Sequence, residues 1–281
     1  MSLVPDTLTD VITPHARAIA DRVITEEESL RRHIVLRLTG AHAFGFASPD
    51  SDLDLKGIHI APTEGFLGLR ATPPTFNRME IIEGVEIDYT SNELGMAVAA
   101  LLGGNGNFLE RVLGPHLLVA GPELEGLAVL ARRAISQRVF RHYRGFAGGQ
   151  LREFEKPEGG GTAKKALYVL RTTLTGAHAL RTGEIDPDVN HHLHAHGFDD
   201  AEELLEVKRS GERAPLPAEV RERWSVRLKD AFAVLEAALH ASTLPEAPSE
   251  EVTAECDRWL IDTRMGMLDQ AAAGSFMCVP R

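Results

Sequence analysis

LRLTGAHAFGFASPDSDLDLKGIHI, residues 36–60, predicts a strand, a glycine turn, a short helical or looping connection and a second strand that opens with aspartates. Asp52 and Asp54 are separated by one residue, so on an extended strand both side chains leave the same face. Two converging carboxylates form a platform for a divalent metal ion. Gly40 closes the first strand, where the missing Cβ lets backbone amides approach a phosphate. The stretch therefore predicts a metal site that faces a phosphate-binding turn.

The composition is that of an ordinary globular protein, with 281 residues of which 43% are hydrophobic and 25% charged, and it favours two domains. No apolar run approaches the ~18 residues of a membrane span, and 1–10 lack the pattern of a secretion signal, so we expect a cytoplasmic protein without a membrane partner. Cys256 and Cys278 stand outside any CxxC spacing, which disfavours a disulfide framework and a cysteine zinc site.

The charge is unevenly distributed along the chain. The formal net charge is -11, yet 131–183 contains eleven Arg and Lys against three Glu. This segment includes Arg138, Arg141 and Arg144. Either a solvated helical face or a surface that binds a polyanion explains such a segment, and the sequence leaves both open.

Strand signals are confined to the first part of the chain. A helix is predicted over 7–32, strands over 33–38 and 53–60, and a hairpin around Glu83-Gly84. The pattern of apolar residues changes parity at Lys56-Gly57, which suggests a bulge or a twist there. Further helices are predicted over 93–102, 108–113, 123–146, 162–182, 199–208, 219–240 and 250–273. We therefore expect an α+β protein, with a mixed α/β domain over 1–122 and a helical domain over 123–281.

Nucleotidyl transfer from a nucleoside triphosphate (NTP) uses two Mg²⁺ ions about 3.5–4 Å apart, held by carboxylates. Asp52 and Asp54 would bridge the ions, and a neighbouring strand must supply a third acid. Asp88 lies in the predicted strand 85–89, and Glu86, on the same face, is its rival.

The order of strand, glycine turn, Asp-x-Asp, strand and single Asp resembles the DNA polymerase β-type nucleotidyltransferases. Within them, GAHAFG (40–45), DSDLDLKG (50–57) and GNGNFLERVL (104–113) are similar to a prokaryotic group of predicted nucleotidyltransferases associated with RNA repair. The resemblance covers 36–113 and extends more weakly over 164–183. It implies a polymerase-β-like catalytic domain and favours Asp88 over Glu86 as the third metal ligand and candidate catalytic base.

The resemblance also implies a nucleotide-binding set made of Gly40, Ala41, His42 and Ser51. Relatives usually have Gly-Ser or Gly-Gly where this chain has Gly40-Ala41, so one hydroxyl that would contact the terminal phosphate is missing. Backbone amides can still bind the phosphate, at a loss of about 1 kcal/mol for one hydrogen bond.

Lys164, Tyr168 and Arg171 are spaced to share one helix face. Their likeness to Lys and Arg positions of the same group implies a surface for the triphosphate or a nucleic-acid backbone, with Tyr168 stacking on a base. An amphipathic surface helix with a half-buried tyrosine is the alternative. Glu110 is expected to pair with an arginine. The histidines of 190–197 are interpreted as adventitious metal ligands or as part of a solvated loop, because their spacing does not suit a standard zinc site.

The sequence thus predicts an Mg²⁺- or Mn²⁺-dependent nucleotidyltransferase that binds two ions and moves NMP from an NTP to a hydroxyl. An RNA end is the acceptor suggested by the resemblance; a protein or a small molecule fits the acidic overall charge. A nucleotide- or RNA-binding module without turnover is the alternative from another class. The base preference and the oligomeric state stay open.

Overall fold

A computed structural model describes residues 8, 10–69, 71–211 and 215–276, with side chains to residue 268. It confirms the α+β fold. The strands are β1 Arg32–Leu38, β2 Leu53–Ile60, β3 Thr75–Ile82, β4 Val85–Glu93 and β5 Leu117–Ala120. The helices are α1 Pro14–Glu28, α2 Gly40–Ala43, α3 Glu64–Leu67, α4 Leu94–Leu102, α5 Gly106–Leu113, α6 Leu124–Ala134, α7 Val139–Glu155, α8 Ala163–Thr182, α9 Asn190–Leu193, α10 Glu202–Arg209, α11 Ala218–His240 and α12 Glu250–Phe276.

The five strands form one mixed sheet in the order β3-β4-β2-β1-β5. β2 and β4 are parallel, and the other neighbouring pairs are antiparallel. The predicted hairpin is confirmed: Glu83 and Gly84 both have positive φ in the turn between β3 and β4. This turn leads directly into β4, which places the edge strand β3 beside it.

Both faces of β2 are covered, which explains its apolar pattern. Leu53 and Leu55 pack in a cluster with α1, whereas Ile58 and Ile60 pack in a second cluster with the helices. The predicted bulge at Lys56-Gly57 is therefore wrong. The parity change reflects a change of buried face, and the register irregularity of this pair lies in β1, between His33 and Val35.

The apolar core crosses the predicted domain boundary near Pro122. One cluster joins Ile34 and Ile58 of the sheet to Tyr143, Leu235 and Cys256 of the later helices. A further cluster packs α2 against α8 and α11. The division at 122 stays a prediction, and sheet and helices share buried surface on both sides of it. Cys278 lies outside the described residues.

Several predicted helices have different ends in the structure. The helix expected over 123–146 is two helices, α6 and α7, separated at residues 135–138, and α7 runs on to Glu155. The first helix begins at Pro14 and is capped by the Thr13 side chain, which accepts from the amide of Ala16. The short strand β5, which pairs with β1, escaped the sequence prediction. In the described part of the chain, no helix is long and apolar enough to cross a membrane.

Candidate active site

Two of the predicted acids meet on neighbouring parallel strands. Asp54 of β2 and Asp88 of β4 are register partners, so their side chains leave the same face of the sheet. On the edge strand β3, Met79 pairs with Asp88 and extends this face outward. Its side chain is 75% exposed, so the face is open on the β3 side of the acids.

Lys56 joins the two acids. Its Nζ lies 3.3 Å from Asp54 Oδ1 and 2.7 Å from Asp88 Oδ1, and it donates to the Asp88 carbonyl at 3.0 Å. Because Lys56 follows Asp54 by two residues, both side chains are on one face of β2. The lysine side chain is only 16% exposed, so this ion pair is shielded from water. The ammonium offsets the repulsion between the two carboxylates.

Gly40 is required where β1 ends. Its φ is +65°, and a Cβ at this position would overlap the carboxylate of Asp54. Thr39, just before it, donates its amide to the Asp54 carbonyl at 2.8 Å. The glycine turn and the acid are therefore in direct contact, as the sequence suggested, and any side chain at residue 40 would displace Asp54.

Burial raises the pKa of Asp54 to about 6. Lys56 opposes this shift, and the nearby carboxylates of Asp52 and Asp88 add to it. Among the described residues, no three His, Cys, Asp or Glu side chains form a group that could hold a metal ion. Asp54 and Asp88 are brought together, while Asp52, just ahead of β2, lines the wall of a neighbouring cavity.

The paired carboxylates nevertheless suit a divalent ion chemically. Carboxylate oxygens are the ligands that Mg²⁺ and Mn²⁺ prefer. The pair of Asp54 and Asp88 already holds one positive charge, the Lys56 ammonium, between its Oδ1 atoms. The two carboxylates therefore fit the expected metal ion, provided that the Lys56 ammonium moves away from their Oδ1 atoms.

Ser51 belongs to the loop that carries the acids into β2. Its hydroxyl accepts from the Ser48 amide at 2.9 Å and from Lys208 Nζ at 3.3 Å. Lys208 of α10 is fully buried and donates to the Ser48 hydroxyl at 2.5 Å. A lysine from the helical region thus holds the loop from which Asp52 emerges. No feature of residue 208 in the sequence signals this contact.

Ala41 is buried, and His42 beside it is half-buried. Ala41 is buried in the apolar cluster that packs α2 on α8, so the side chain that departs from the family pattern is a core residue. Burial lowers the pKa of His42, although backbone contacts and the nearby Asp52 carboxylate act in the opposite direction. The lowered pKa disfavours the charged imidazolium, which weakens His42 as an electrostatic partner for a phosphate.

Lys164 and Tyr168 line a cavity of about 680 Å³ between the sheet and α7–α8. Tyr168 contacts Phe44 and Phe46 edge-on, and Lys164 Nζ lies 5.9 Å from the centre of its ring. The opposite wall of this cavity is acidic. Its remaining lining residues are Asp50, Asp52, Glu86, Gln150, Gly159, Thr162 and Lys165.

A second cavity, of about 190 Å³, adjoins the paired acids. Tyr168 lines it as well, so the two cavities adjoin at this residue. The other lining residues are Thr39, Gly40, Phe44, Asp54, Lys56, Asn107, Glu110, Arg111 and Phe146. Arg111 escaped the sequence prediction although it stands in the quoted segment 104–113. It donates to the Asn92 side chain, and burial lowers its pKa to about 10.

Arg171 does not share an open surface with Lys164 and Tyr168. It is buried and forms an ion pair with Glu110 of α5, and its guanidinium lies 3.7 Å from the centre of the Phe44 ring. The predicted pairing of Glu110 with an arginine is confirmed. In this structure Arg171 joins α8 to α5 and α2 beneath the second cavity.

The arginine-rich segment is only partly available for ligands. Arg133 pairs with Glu255 of α12, and Arg144 pairs with Glu236 of α11 at 3.3 Å. Arg138 and Arg141 line a groove of about 400 Å³ instead. The two paired arginines fit the interpretation as a solvated helical face, whereas the interpretation as a polyanion-binding surface stays a prediction.

The histidines of 190–197 have local partners. His191 is within 2.8 Å of Asp186, and His194 is within 2.7 Å of Asp199. His192 lies 3.0 Å from the Asp186 carbonyl. These contacts fasten the segment around α9 to its own loop.

A family model described as the RNA repair pathway DNA polymerase beta family, RlaP, matches residues 17–262. The chain belongs to this family. RlaP is a DNA polymerase beta-like nucleotidyltransferase family associated with RNA repair, and the match spans both the sheet and the helices. The resemblance stated from the sequence motifs is confirmed.

Two individual proteins are also similar to this chain. An uncharacterized protein of Methanocaldococcus jannaschii is 29% identical over 157 residues, which cover 55% of this chain and 63% of that protein. A nucleotidyltransferase-like protein from Exiguobacterium sibiricum, solved by crystallography, aligns with a TM-score of 0.31 at 13% identity, covering 79% of this chain and 74% of that one.

Proposed function

We propose that this RlaP-family protein is an Mg²⁺- or Mn²⁺-dependent nucleotidyltransferase that moves NMP from an NTP to a hydroxyl, with an RNA end as acceptor. The observation that carries the proposal is the register pairing of Asp54 with Asp88 against the side-chain-free Gly40. Two acids and a glycine turn at one point are what a metal-bound triphosphate needs.

In the proposed reaction an acceptor hydroxyl oxygen bonds to the α-phosphorus, the bond from that phosphorus to the bridging oxygen breaks, and pyrophosphate leaves. Asp54 and Asp88, with Asp52 from the adjoining loop, would hold the divalent ions. The ions, when bound, supply charge for the developing phosphate oxygens. Asp88 is the more exposed acid of the pair, so it is our candidate to accept the hydroxyl proton.

The two cavities that adjoin at Tyr168 together offer room for the two substrates. The larger one has Lys164 and Lys165 on one wall and room for a nucleotide. The smaller one contains Gly40, Asp54 and Arg111. We propose that the nucleotide lies in the larger cavity with its triphosphate extending past Tyr168 to the backbone amides of Gly40 and Ala41, and that the acceptor approaches the acids from the smaller cavity.

The test is label transfer from radiolabelled NTPs to an RNA pool with Mg²⁺ or Mn²⁺. We expect the double variant Asp54→Asn/Asp88→Asn to lose transfer by at least about a thousandfold, as losses of essential active-site groups commonly do. Glu80→Gln, an acid on the neighbouring strand β3 that pairs with Arg78, is the matched control and should transfer normally. Label transfer that survives the double substitution would disprove the assignment.

One observation favours a binding module without turnover as the second candidate. Lys56 neutralises the acids in the absence of metal, so the cluster of like charges does not by itself require an ion. Calorimetry separates the candidates. A pure binding module should take up NTP or RNA equally well with and without divalent ions, whereas the enzyme should need them for NTP.

A further inference from the structure

We propose that Lys56 is a built-in counterion that competes with the first divalent cation for Asp54 and Asp88, and that it withdraws along β4 when the ion binds. The inference rests on the proposed function, because it concerns the same pair of acids. It assigns Lys56 a positioning role that the sequence did not suggest.

The first argument is that the ammonium and the ion need the same atoms. Lys56 Nζ lies 3.3 Å from Asp54 Oδ1 and 2.7 Å from Asp88 Oδ1. A divalent ion that bridges the two acids would sit about 2.1 Å from the same two oxygens. Two cations so close together in a poorly hydrated place repel strongly. The ion and the ammonium therefore exclude each other from this position.

The second argument is that the two oxygens of Asp54 face different neighbours. Oδ2 is turned toward the glycine turn, where a Cβ at residue 40 would lie 1.8 Å from it, and Oδ1 is turned toward Lys56. The side chain is 17% exposed and is enclosed between the glycine turn and the lysine. An approaching ion consequently meets Asp54 on the side that Lys56 occupies.

The third argument is that β4 offers the ammonium a place to withdraw. Lys56 Nζ already donates to the Asp88 carbonyl at 3.0 Å and lies 3.5 Å from the Thr90 hydroxyl. Thr90 is the register partner of Lys56 on β4. By moving toward Thr90, the ammonium leaves Asp54 Oδ1 and keeps hydrogen-bond acceptors, so its displacement does not strand a buried charge.

The consequence is that the nucleotide-free protein holds divalent ions weakly and its acids stay paired. A bound triphosphate adds negative charge at the site, so it favours the divalent ion over the Lys56 ammonium as the partner of the two acids. Lys56 thus makes metal binding depend on nucleotide, a coupling between two ligands at one site.

The experiment is a Mn²⁺ titration of the full chain without nucleotide, followed by the electron paramagnetic resonance signal of free Mn²⁺. Lys56→Met, which keeps most of the side-chain volume, should bind Mn²⁺ about tenfold more tightly than the wild type because the competing charge is gone. Lys56→Arg keeps the charge and should show no such gain. Adding Asp88→Asn to Lys56→Met should abolish the gain.

Lys156→Met is the matched control for the loss of one positive charge. Lys156, just after α7, has a side chain that is 55% exposed, and its Nζ pairs with Glu153 at 2.6 Å. This variant should change the Mn²⁺ affinity by less than about twofold, because an exposed charge that already pairs with a carboxylate is screened. Circular dichroism melts show whether each variant is folded.

The outcomes separate the two proposals. If Lys56→Met binds Mn²⁺ no more tightly than the wild type, while Asp88→Asn weakens binding, the metal site stands and the role of Lys56 is refuted. The role is also refuted if Lys156→Met gains as much affinity as Lys56→Met. If neither the wild type nor any folded variant binds Mn²⁺ at millimolar concentration, even with NTP present, the proposed metal-dependent function is refuted together with this inference.

Discussion

Gly40 illustrates how one residue can be fixed by its neighbour. Its backbone has a φ of +65°, and the space of a Cβ is filled by the Asp54 carboxylate. We expect Gly40→Ala to displace that carboxylate and to weaken Mn²⁺ binding and label transfer by at least about tenfold, with a stability loss of about 2 kcal/mol or more.

The matched control is Gly197→Ala. Gly197 has a similar φ of +69°, and no heavy atom lies within 4 Å of its added Cβ. This variant should lose only about 1 kcal/mol of stability, the cost of placing a Cβ in the left-handed backbone conformation, and its label transfer should equal that of the wild type. Equal losses of Mn²⁺ affinity in the two variants would show that the contact with Asp54 is unimportant.

The pKa of Asp54 predicts how the free energy of unfolding changes with pH. Burial raises its pKa from the ordinary 3.8 to about 6. The folded state therefore holds the proton more tightly than the unfolded state, and this contribution to stability is lost as pH rises from about 4 to about 6. Above pH 6 the buried charge costs the folded protein about 2–3 kcal/mol.

We therefore expect Asp54→Asn to abolish transfer and yet to raise the free energy of unfolding at pH 7–8. The gain should vanish near pH 4, where the wild-type carboxyl is protonated. Urea unfolding at several pH values, in metal-free buffer, measures it. A variant that is destabilised equally at pH 5 and pH 8 would contradict this account.

At the scale of elements, the ion pair of Glu110 with Arg171 connects α5 to α8. Arg171→Met leaves the buried Glu110 carboxylate without its main partner and should cost about 3–5 kcal/mol. Glu110→Gln/Arg171→Met should lose clearly less than the sum of the two single variants. Urea unfolding of the four proteins measures the coupling, and additive losses would mean that the pair contributes nothing.

Arg138 and Arg141, at the start of α7, form the part of the basic segment that faces a groove. If RNA binds there, Arg138→Gln/Arg141→Gln should lower the affinity and reduce the slope of log K against log salt by about 1.4, since each lost phosphate contact is worth ~0.7. Fluorescence anisotropy with labelled single-stranded RNA at several salt concentrations measures it.

Arg133→Gln/Arg144→Gln is the control for that experiment. It removes the same charge from residues already paired with Glu255 and Glu236. It should leave the salt slope close to the wild-type value. Identical slopes for both double variants would place the RNA elsewhere.

The elements that the sequence predicted well are those with a strong local signal. The hairpin at Glu83-Gly84 follows from its turn residues, and the meeting of Asp54 and Asp88 follows from strand order and family pattern. Features decided by distant contacts could not be predicted. In the sequence, Lys56 stands out only because the apolar pattern of β2 changes parity there. Its ion pair with Asp88 depends on the pairing of β2 with β4, which the sequence does not show.

Lys208 shows the same limit more strongly. It stands on α10, in a run with ordinary charged residues, and only the folded chain brings it to Ser48 and Ser51. Ala41 is a further case. The sequence records a missing hydroxyl, whereas the structure gives the reason, because that side chain lies in the core between α2 and α8.

At the scale of the whole molecule, the apolar cluster that joins Ile34 and Ile58 to Tyr143 and Leu235 limits how this protein can vary. A unit that is exchanged between proteins must bury its own apolar surface. Here the sheet carries the acids and the helices cover the sheet, so a new helical partner would have to match that surface in shape. A change on the buried face of the sheet therefore requires a matching change in the helices that cover it, so the sheet that carries the acids and its helical cover vary as one unit.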